Sequence, residues 1–170
     1  ANHKPSMCVS PSSLAIFSRA PFSVSAGALR AHHDFLVAIS DDHGDTWRAS
    51  RPIIGLGPIQ PSLAKRRDGT IVAFCRDSGP PPGRVMASLS RDNGETWSAA
   101  RDTDLPNPGS SLEVTVLQDG RWLIVYNDST RTRDNLTAAL SPDEGRTWPI
   151  KHRLEPQGDG ATSFGYPAVL

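Results

Sequence analysis

Three short apolar runs, Phe35-Leu36-Val37-Ala38-Ile39, Val85-Met86-Ala87-Ser88-Leu89 and Leu136-Thr137-Ala138-Ala139-Leu140, each stop at a serine that opens a polar block. The blocks share one pattern, Ser-x-Asp-x-Gly-x-Thr-Trp, at 40–47, 90–97 and 141–148. Runs of this length bounded by turn residues predict strands, so each block is a hairpin turn. The aspartate can accept backbone N–H groups inside the turn, and the glycine supplies the positive φ that other residues resist. Asn93-Gly94 is the strongest turn signal of the three. Thr and Trp then open the returning strand, where the indole is a large apolar body that pins the turn to its sheet. A repeat with a period near fifty residues implies an array of similar sheet units.

Between the blocks the pattern predicts a second pair of strands per unit. Pro61 to Lys65 and Thr70 to Arg76 flank the turn Asp68-Gly69; Leu112 to Leu117 and Trp122 to Asn127 flank Asp119-Gly120. Trp47 to Pro52 and Trp97 to Arg101 are return strands. Ile53 to Ile59 reads as a linker, Ser78 to Gly83 as a Pro-rich loop, and Asp128 to Asn135 as a polar one. Tyr166 to Leu170 reads as the inner strand of the next unit. Residues 1–34 form an N-terminal segment with no readable element, since its apolar cluster Leu14-Ala15-Ile16-Phe17 shows no alternation; residues 35–170 are the repeat region.

Aligning the units on their Asp-Gly turns places Gln60 and Ser111 at one position, and the match of Pro61 with Pro167 adds Tyr166. The three are expected on inner strands, facing a central funnel. The same alignment pairs Arg76 with Asn127 and Asp77 with Asp128, at the ends of second strands.

Composition narrows the function. Eighteen basic and eighteen acidic side chains in 170 residues cancel, so no basic excess points to nucleic acid or an anionic membrane surface. Fourteen glycines and fifteen prolines suit a turn-rich all-β chain. No run approaches the roughly 18 apolar residues of a membrane span, and no secretory signal is recognisable. Cys75 lies in an apolar run and is expected to be a buried thiol. The two cysteines and five histidines lack metal-ligand spacing, so neither metal nor cofactor is expected.

The Ser-x-Asp-x-Gly-x-Thr-Trp blocks resemble the Asp-box, or BNR repeat, of the sialidase (neuraminidase) family and its relatives. The resemblance covers Phe35 to Leu170; outside it, only Asn2-His3-Lys4-Pro5 is similar to a short motif of these proteins. It implies an all-β, six-bladed β-propeller of sialidase type, with about three blades in this chain and the boxes as structural turns at the periphery. It implies an exo-glycoside hydrolase that removes a terminal acidic sugar, sialic acid, from glycoconjugates. Sialic acid carries a carboxylate on its anomeric carbon, which guanidinium forks bind bidentately and which repels a carboxylate nucleophile. A tyrosine activated by a neighbouring glutamate avoids that repulsion, and a separate aspartate serves as acid and base.

Carried over by residue, the resemblance implies that Arg76, in Arg76-Asp77 after an Asp-Gly turn, and Arg133, ahead of the box ending Thr147-Trp148-Pro149, bind the carboxylate. Arg131 competes with Arg133. Tyr166, after Gly165, corresponds to the nucleophile, with Pro167 where the family has a small polar residue. Gln60 stands where the activating glutamate belongs, and an amide cannot take a phenolic proton; Glu113, two residues beyond Ser111 on the same strand face, is the candidate replacement. Gln60, Asp77 and Asn127 are expected to line the funnel. The family's first arginine and its acid/base aspartate match no residue here, Asp34 and Asp41 being poorly placed. Two alternatives stay open: a hydrolase or lyase of another acidic glycan, such as a uronic-acid polymer, and a propeller that binds carbohydrate without turnover.

Overall fold

The computed structural model describes residues 13–18, 35–55, 57–155 and 162–169. All regular structure among them is β. The strands are β1 (Ser13–Ser18), β2 (Phe35–Ser40), β3 (Arg48–Ala49), β4 (Pro58–Lys65), β5 (Ile71–Asp77), β6 (Arg84–Ser90), β7 (Arg101–Pro106), β8 (Glu113–Val116), β9 (Trp122–Tyr126), β10 (Leu136–Ser141) and β11 (Ile150–Glu155). They form three antiparallel meanders, β1-β2-β3, β4-β5-β6-β7 and β8-β9-β10-β11, with sequential strands as neighbours. The inner strand β4 lies alongside both β1 and β8. These are successive blades of a partial β-propeller, as the fifty-residue period implies.

Blade two shows how the array coheres. Side chains alternate faces along a strand, and on β5 Val72 and Phe74 enter one core while Ala73 and Cys75 enter another. The first core is shared with blade three, through Val114, Trp122, Ile124 and Tyr126. The second is shared with blade one, through Phe35, Val37, Ile39 and Ile53. Both faces of β5 are therefore dry, which is why Ile71 to Cys75 is an unbroken apolar run. Cys75 is a free, fully buried thiol whose pKa burial pushes far up, as expected for an inert core residue.

The boxes are built as their residues predict. In the first, Asp42 Oδ1 accepts the Thr46 amide at 2.9 Å and Asp42 Oδ2 the Thr46 hydroxyl at 2.6 Å. The Ser40 hydroxyl donates to Asp42 and accepts the Gly44 amide at 2.7 Å. Asp92 and Asp143 repeat this set with Thr96 and Thr147. Each glycine is left-handed, and so is the residue before it: His43, Asn93 and Glu144 have φ of 60°, 55° and 60°. That second left-handed residue explains why Asn-Gly is the strongest form of the turn.

Beyond closing their own hairpins, the second and third boxes touch the preceding blade. The Glu95 carbonyl accepts the Arg51 amide at 2.9 Å, and its carboxylate pairs with Arg48. Glu144 accepts Arg66 Nε on its carbonyl at 3.1 Å and the Arg67 amide on its carboxylate at 3.2 Å. The Trp97 and Trp148 indoles are half-buried against the cores shared with the preceding blade, the latter edge-on to Phe74. Trp47, in the first described blade, is 48% exposed.

Three expectations are corrected. Ser13–Ser18 is a strand, paired along its whole length with β2; its place is set by that partner, and a four-residue apolar run between serines has no alternation to announce it. The return in blade two begins at Arg101 instead of Trp97, because Ser98 ties the segment to β6 with hydrogen bonds outside the regular ladder. Residues 162–169 are not a strand: Tyr166 has φ 55°, and no described strand pairs with this segment. The other calls on residues 1–12 and 19–34 fall outside the described residues.

Two predictions follow from the turns. A Cβ on Gly145, at φ +80°, would lie 2.7 and 2.8 Å from Trp122 and 3.0 Å from Phe74, whereas one on Gly69, at φ +88°, would meet nothing within 4 Å. Gly69→Ala then costs the left-handed penalty of about 1–2 kcal/mol. Gly145→Ala adds overpacking of about 1–3 kcal/mol, so denaturant unfolding places it clearly below Gly69→Ala. The Thr96 hydroxyl, with its amide, holds the Asp92 carboxyl at about 2 against an ordinary 3.8. Because the folded pKa is depressed, this contribution is present above the ordinary value and lost as pH falls towards about 2. Asp92→Asn is therefore less stable at neutral pH and loses stability less steeply across that acid window, as measured by unfolding at a series of pH values.

Candidate functional site

The inner strand β4 is interrupted between Ile59 and Ser62, where its pairing with β5 shifts register. Gln60 sits in this bulge with φ 48° and an exposed side chain. Tyr166, the residue aligned with it, has φ 55° and is 68% exposed. Both precede proline, which ordinarily confines the residue before it to extended backbone. A left-handed non-glycine residue there is strained, and strain of this kind concentrates at functional sites.

Ser111, third in the alignment, is buried, and its Oγ accepts the Tyr166 amide at 2.6 Å. The three residues therefore come together, but Ser111 lies beneath Tyr166 and does not face a funnel beside it. The Phe164 amide donates to the Arg133 carbonyl at 2.8 Å. These two bonds fix the 162–169 segment over the start of blade three.

Arg76 ends β5 half-buried, and its Nη1 donates to Gln60 Oε1 at 2.9 Å. Arg133, also half-buried, reaches from the loop between β9 and β10 to the one between β7 and β8, donating Nη2 to the Gly109 carbonyl at 2.6 Å. Gly109 is itself held by Asn107, whose Oδ1 accepts the Gly109 and Ser110 amides at 2.9 and 3.1 Å. The Tyr166 phenol is drawn below its usual pKa first by the Gln60 amide, then by the positive charge of Arg76, with Arg133 adding to it. Of the two competing loop arginines, it is Arg133 whose charge reaches the phenol.

The remaining expected residues are placed differently. Asp77 and Asn127 are 0% and 1% exposed, and neither lines an open funnel. Asp77 Oδ1 accepts the Gly79 amide at 2.7 Å and lies where a Cβ on Gly57 would come to 2.8 Å, so it shapes the Pro-rich loop. Asn127 Nδ2 faces three carbonyls: Asn135, Phe164 at 3.3 Å and Arg133 at 3.5 Å. It is the polar core on which the Arg133 loop and the Tyr166 segment meet. Buried amides and carboxylates at strand ends organise loops because unsatisfied they would be costly.

Glu113, on β8 opposite Val125, is half-buried. Burial pushes its carboxyl pKa up, and the Ser62 hydroxyl opposes the shift. The Ser62 hydroxyl itself donates to the Val114 carbonyl at 3.4 Å and accepts the Val114 amide at 3.0 Å, and Glu113 is not among the groups that shift the Tyr166 phenol. Glu113 lies on the strand that its spacing from Ser111 indicates, and Ser62 of the preceding blade bonds the backbone of the neighbouring Val114 there.

The sequence reading missed Asn107, Gly109 and Phe164. Asn107-Pro108-Gly109 is a strong turn signal, but nothing local indicates that its carbonyl anchors a distant arginine. Among the described residues no cluster could hold a metal ion, and no helix is long and apolar enough to cross a membrane. The group is two half-buried guanidinium forks whose positive charge acts on an exposed phenol. Such a group suits an anionic oxygen ligand, with Arg supplying planar donors.

Residues 13–170 match the model of the BNR repeat-like domain family. A sialidase of Micromonospora viridifaciens is 30% identical over 156 residues, which are 86% of this chain and 23% of that protein. Among solved structures, the Hadza microbial sialidase Hz136 aligns with a TM-score of 0.61 at 25% identity, over 75% of this chain and 28% of that one. An α-L-arabinanase of Penicillium chrysogenum, complexed with arabinobiose, aligns with a TM-score of 0.57 at 21% identity, over 83% and 44%, and speaks for the fold alone. The chain thus spans about a quarter of the length of the sialidases it matches. With the boxes, the blades and these similarities together, the chain belongs to the BNR repeat-like family and is a sialidase-like partial β-propeller.

Proposed function

We propose that this chain supplies the carboxylate-holding part of an acidic-sugar site in a sialidase-type exo-glycoside hydrolase acting on sialoglycoconjugates. The observation that carries the reading is that Arg76 and Arg133, from separate segments, both act by their positive charge on the exposed Tyr166 phenol, with Arg76 also bonded to Gln60, the residue aligned with Tyr166. In this reading Arg76 and Arg133 take the sugar carboxylate, and Tyr166 stands at the anomeric carbon beside it. A neutral hydroxyl is suited to that place because a carboxylate nucleophile would be repelled by the bound anion. The similarity to the Micromonospora sialidase supports the same class of chemistry.

Gln60 favours a second reading. An amide cannot accept the phenol's proton, so a propeller that binds the sugar without turning it over is also consistent with this geometry. The two readings differ in what Tyr166 does. As a nucleophile it is indispensable to turnover; as a wall of a binding site it contributes little through its hydroxyl.

The test is release of a fluorogenic aglycone from an α-sialoside by the full-length protein, beside its Tyr166→Phe, Arg76→Met and Arg133→Met variants. The hydrolase reading expects turnover that Tyr166→Phe abolishes. It also expects each arginine variant to lose about 1.5–3 kcal/mol of carboxylate binding, roughly 10- to 150-fold. Saturable sialoside binding without turnover, unchanged in Tyr166→Phe, would select the binding reading. Activity only on uronides would move the substrate to another acidic glycan, and unchanged affinity in both arginine variants would overturn the site.

A further inference from the structure

Residues 107–111, between β7 and β8, meet the segments that carry Arg76, Arg133 and Tyr166. The Arg133 guanidinium bonds the Gly109 carbonyl at 2.6 Å, and the Tyr166 amide bonds the Ser111 hydroxyl at 2.6 Å. A Cβ on Gly165 would lie 3.6 Å from Ser110 Oγ, so the backbone leading into Tyr166 rests on Ser110. A Cβ on Gly109 would lie 3.2 Å from the carbonyl oxygen of Asp77, the residue after Arg76. Gly83 ties the same loop once more to that of Arg133. The Asn107 amide donates to the Gly83 carbonyl at 3.0 Å, and the Gly83 amide to the Thr130 carbonyl at 3.2 Å.

This loop has no strand pairing of its own, and what shapes it is one side chain. Asn107 is fully buried; its Oδ1 accepts the Gly109 and Ser110 amides at 2.9 and 3.1 Å, and its Nδ2 donates to the Ser110 carbonyl at 2.8 Å. A peptide unit is planar and trans, so its N–H and C=O point opposite ways. With the Ser110 N–H turned onto Asn107, the Gly109 carbonyl of the same unit is turned away from it, and there Arg133 meets it. With the Ser110 carbonyl also held on Asn107, Ser111 follows in a set place beneath Tyr166.

We infer that Asn107 is a positioning residue whose one side-chain amide sets both the carbonyl that holds Arg133 and the hydroxyl that seats Tyr166. The inference rests on the reading of Arg133 and Tyr166 as parts of one acidic-sugar site, and adds the buried group that places them together. A backbone carbonyl is a neutral acceptor, so Arg133 is aimed without its charge being cancelled, as the binding of an anion requires. Gly109, at φ +76°, suits the position because a side chain there would be strained and would press on Asp77 beside Arg76.

The experiment makes two measurements on the full-length protein and its Asn107→Ala and Asn107→Asp variants, after thermal melting has verified the fold. The first needs no ligand: the rate at which chymotrypsin cuts after Phe164, read by mass spectrometry. That bond lies in the seated segment, and the proline after Tyr166 protects the next aromatic site. Cleavage of this kind follows the population in which the segment lifts away. Asn107→Ala raises it roughly 2- to 12-fold, the worth of one hydrogen bond. The second is the affinity for N-acetylneuraminate, which Asn107→Ala lowers by about the same factor. In an Arg133→Met background the same substitution costs no further affinity, whereas a general loosening of the fold would add to the loss. Asn107→Asp keeps an oxygen for the Gly109 and Ser110 amides and loses the donor to the Ser110 carbonyl. It therefore restores most of the affinity while cleavage stays raised, and it carries the test if Asn107→Ala does not fold. Cleavage unchanged in both variants would overturn the inference, as would an affinity loss that persists undiminished without Arg133. If the wild type binds no acidic sugar, the proposed function fails, and the cleavage rates alone decide the role of Asn107.

Discussion

The structure depends on β5 being buried on both faces. A single four-stranded meander of this size cannot exclude water from either side alone, and burial of apolar area is the dominant stabilising term. Val72 and Phe74 need blade three, while Ala73 and Cys75 need blade one. Each blade is thus completed by its neighbours, in the manner of a repeat array whose stability is a sum of nearest-neighbour interfaces. The same dependence explains the exposure of Trp47: the indoles of the second and third boxes pack against the preceding blade, and no described blade precedes the first.

The boxes act at two scales because their residues have two sets of partners. The aspartate, serine and threonine are spent locally, closing a turn that requires two consecutive left-handed residues. Residues whose identity the pattern leaves open, Glu95 and Glu144, reach the preceding blade. A motif conserved in form within the chain can therefore be wholly structural while its variable positions set the spacing between blades.

How much of this was legible follows from range of interaction. The box turns, the Asp-Gly hairpins and the burial of Cys75 rest on neighbours in sequence or on one strand's own apolar run, and these were readable. The strand Ser13–Ser18 was not, because its evidence lies in the register with β2 and not in its own six residues. Gln60, Arg76, Arg133 and Tyr166 could be named from repeat alignment and resemblance. The roles of Asp77 and Asn127 could not, since whether a polar residue at a strand end faces solvent or organises loops beneath it depends on segments far away in the chain. Asn127 shows the limit well: its carbonyl partners come from residues 133, 135 and 164.

The paired left-handed residues at Gln60 and Tyr166 bring these levels together. Proline after each residue favours extended backbone at the residue before it, and the left-handed well carries its own steric cost for any side chain with a Cβ. The cost recurs at aligned positions of two repeats, and the third aligned residue, Ser111, escapes it and serves as the anchor for Tyr166. Twofold recurrence at the residues that meet around Arg76, against normal backbone where the side chain is buried, argues that the strain is tied to what those two side chains do. The propeller tolerates it because β4 is held on both sides, by β5 in its own blade and by the inner strands of its neighbours. Stability gathered across blade interfaces is thus what allows two exposed residues to keep an unfavourable backbone, one of them with its amide on Arg76.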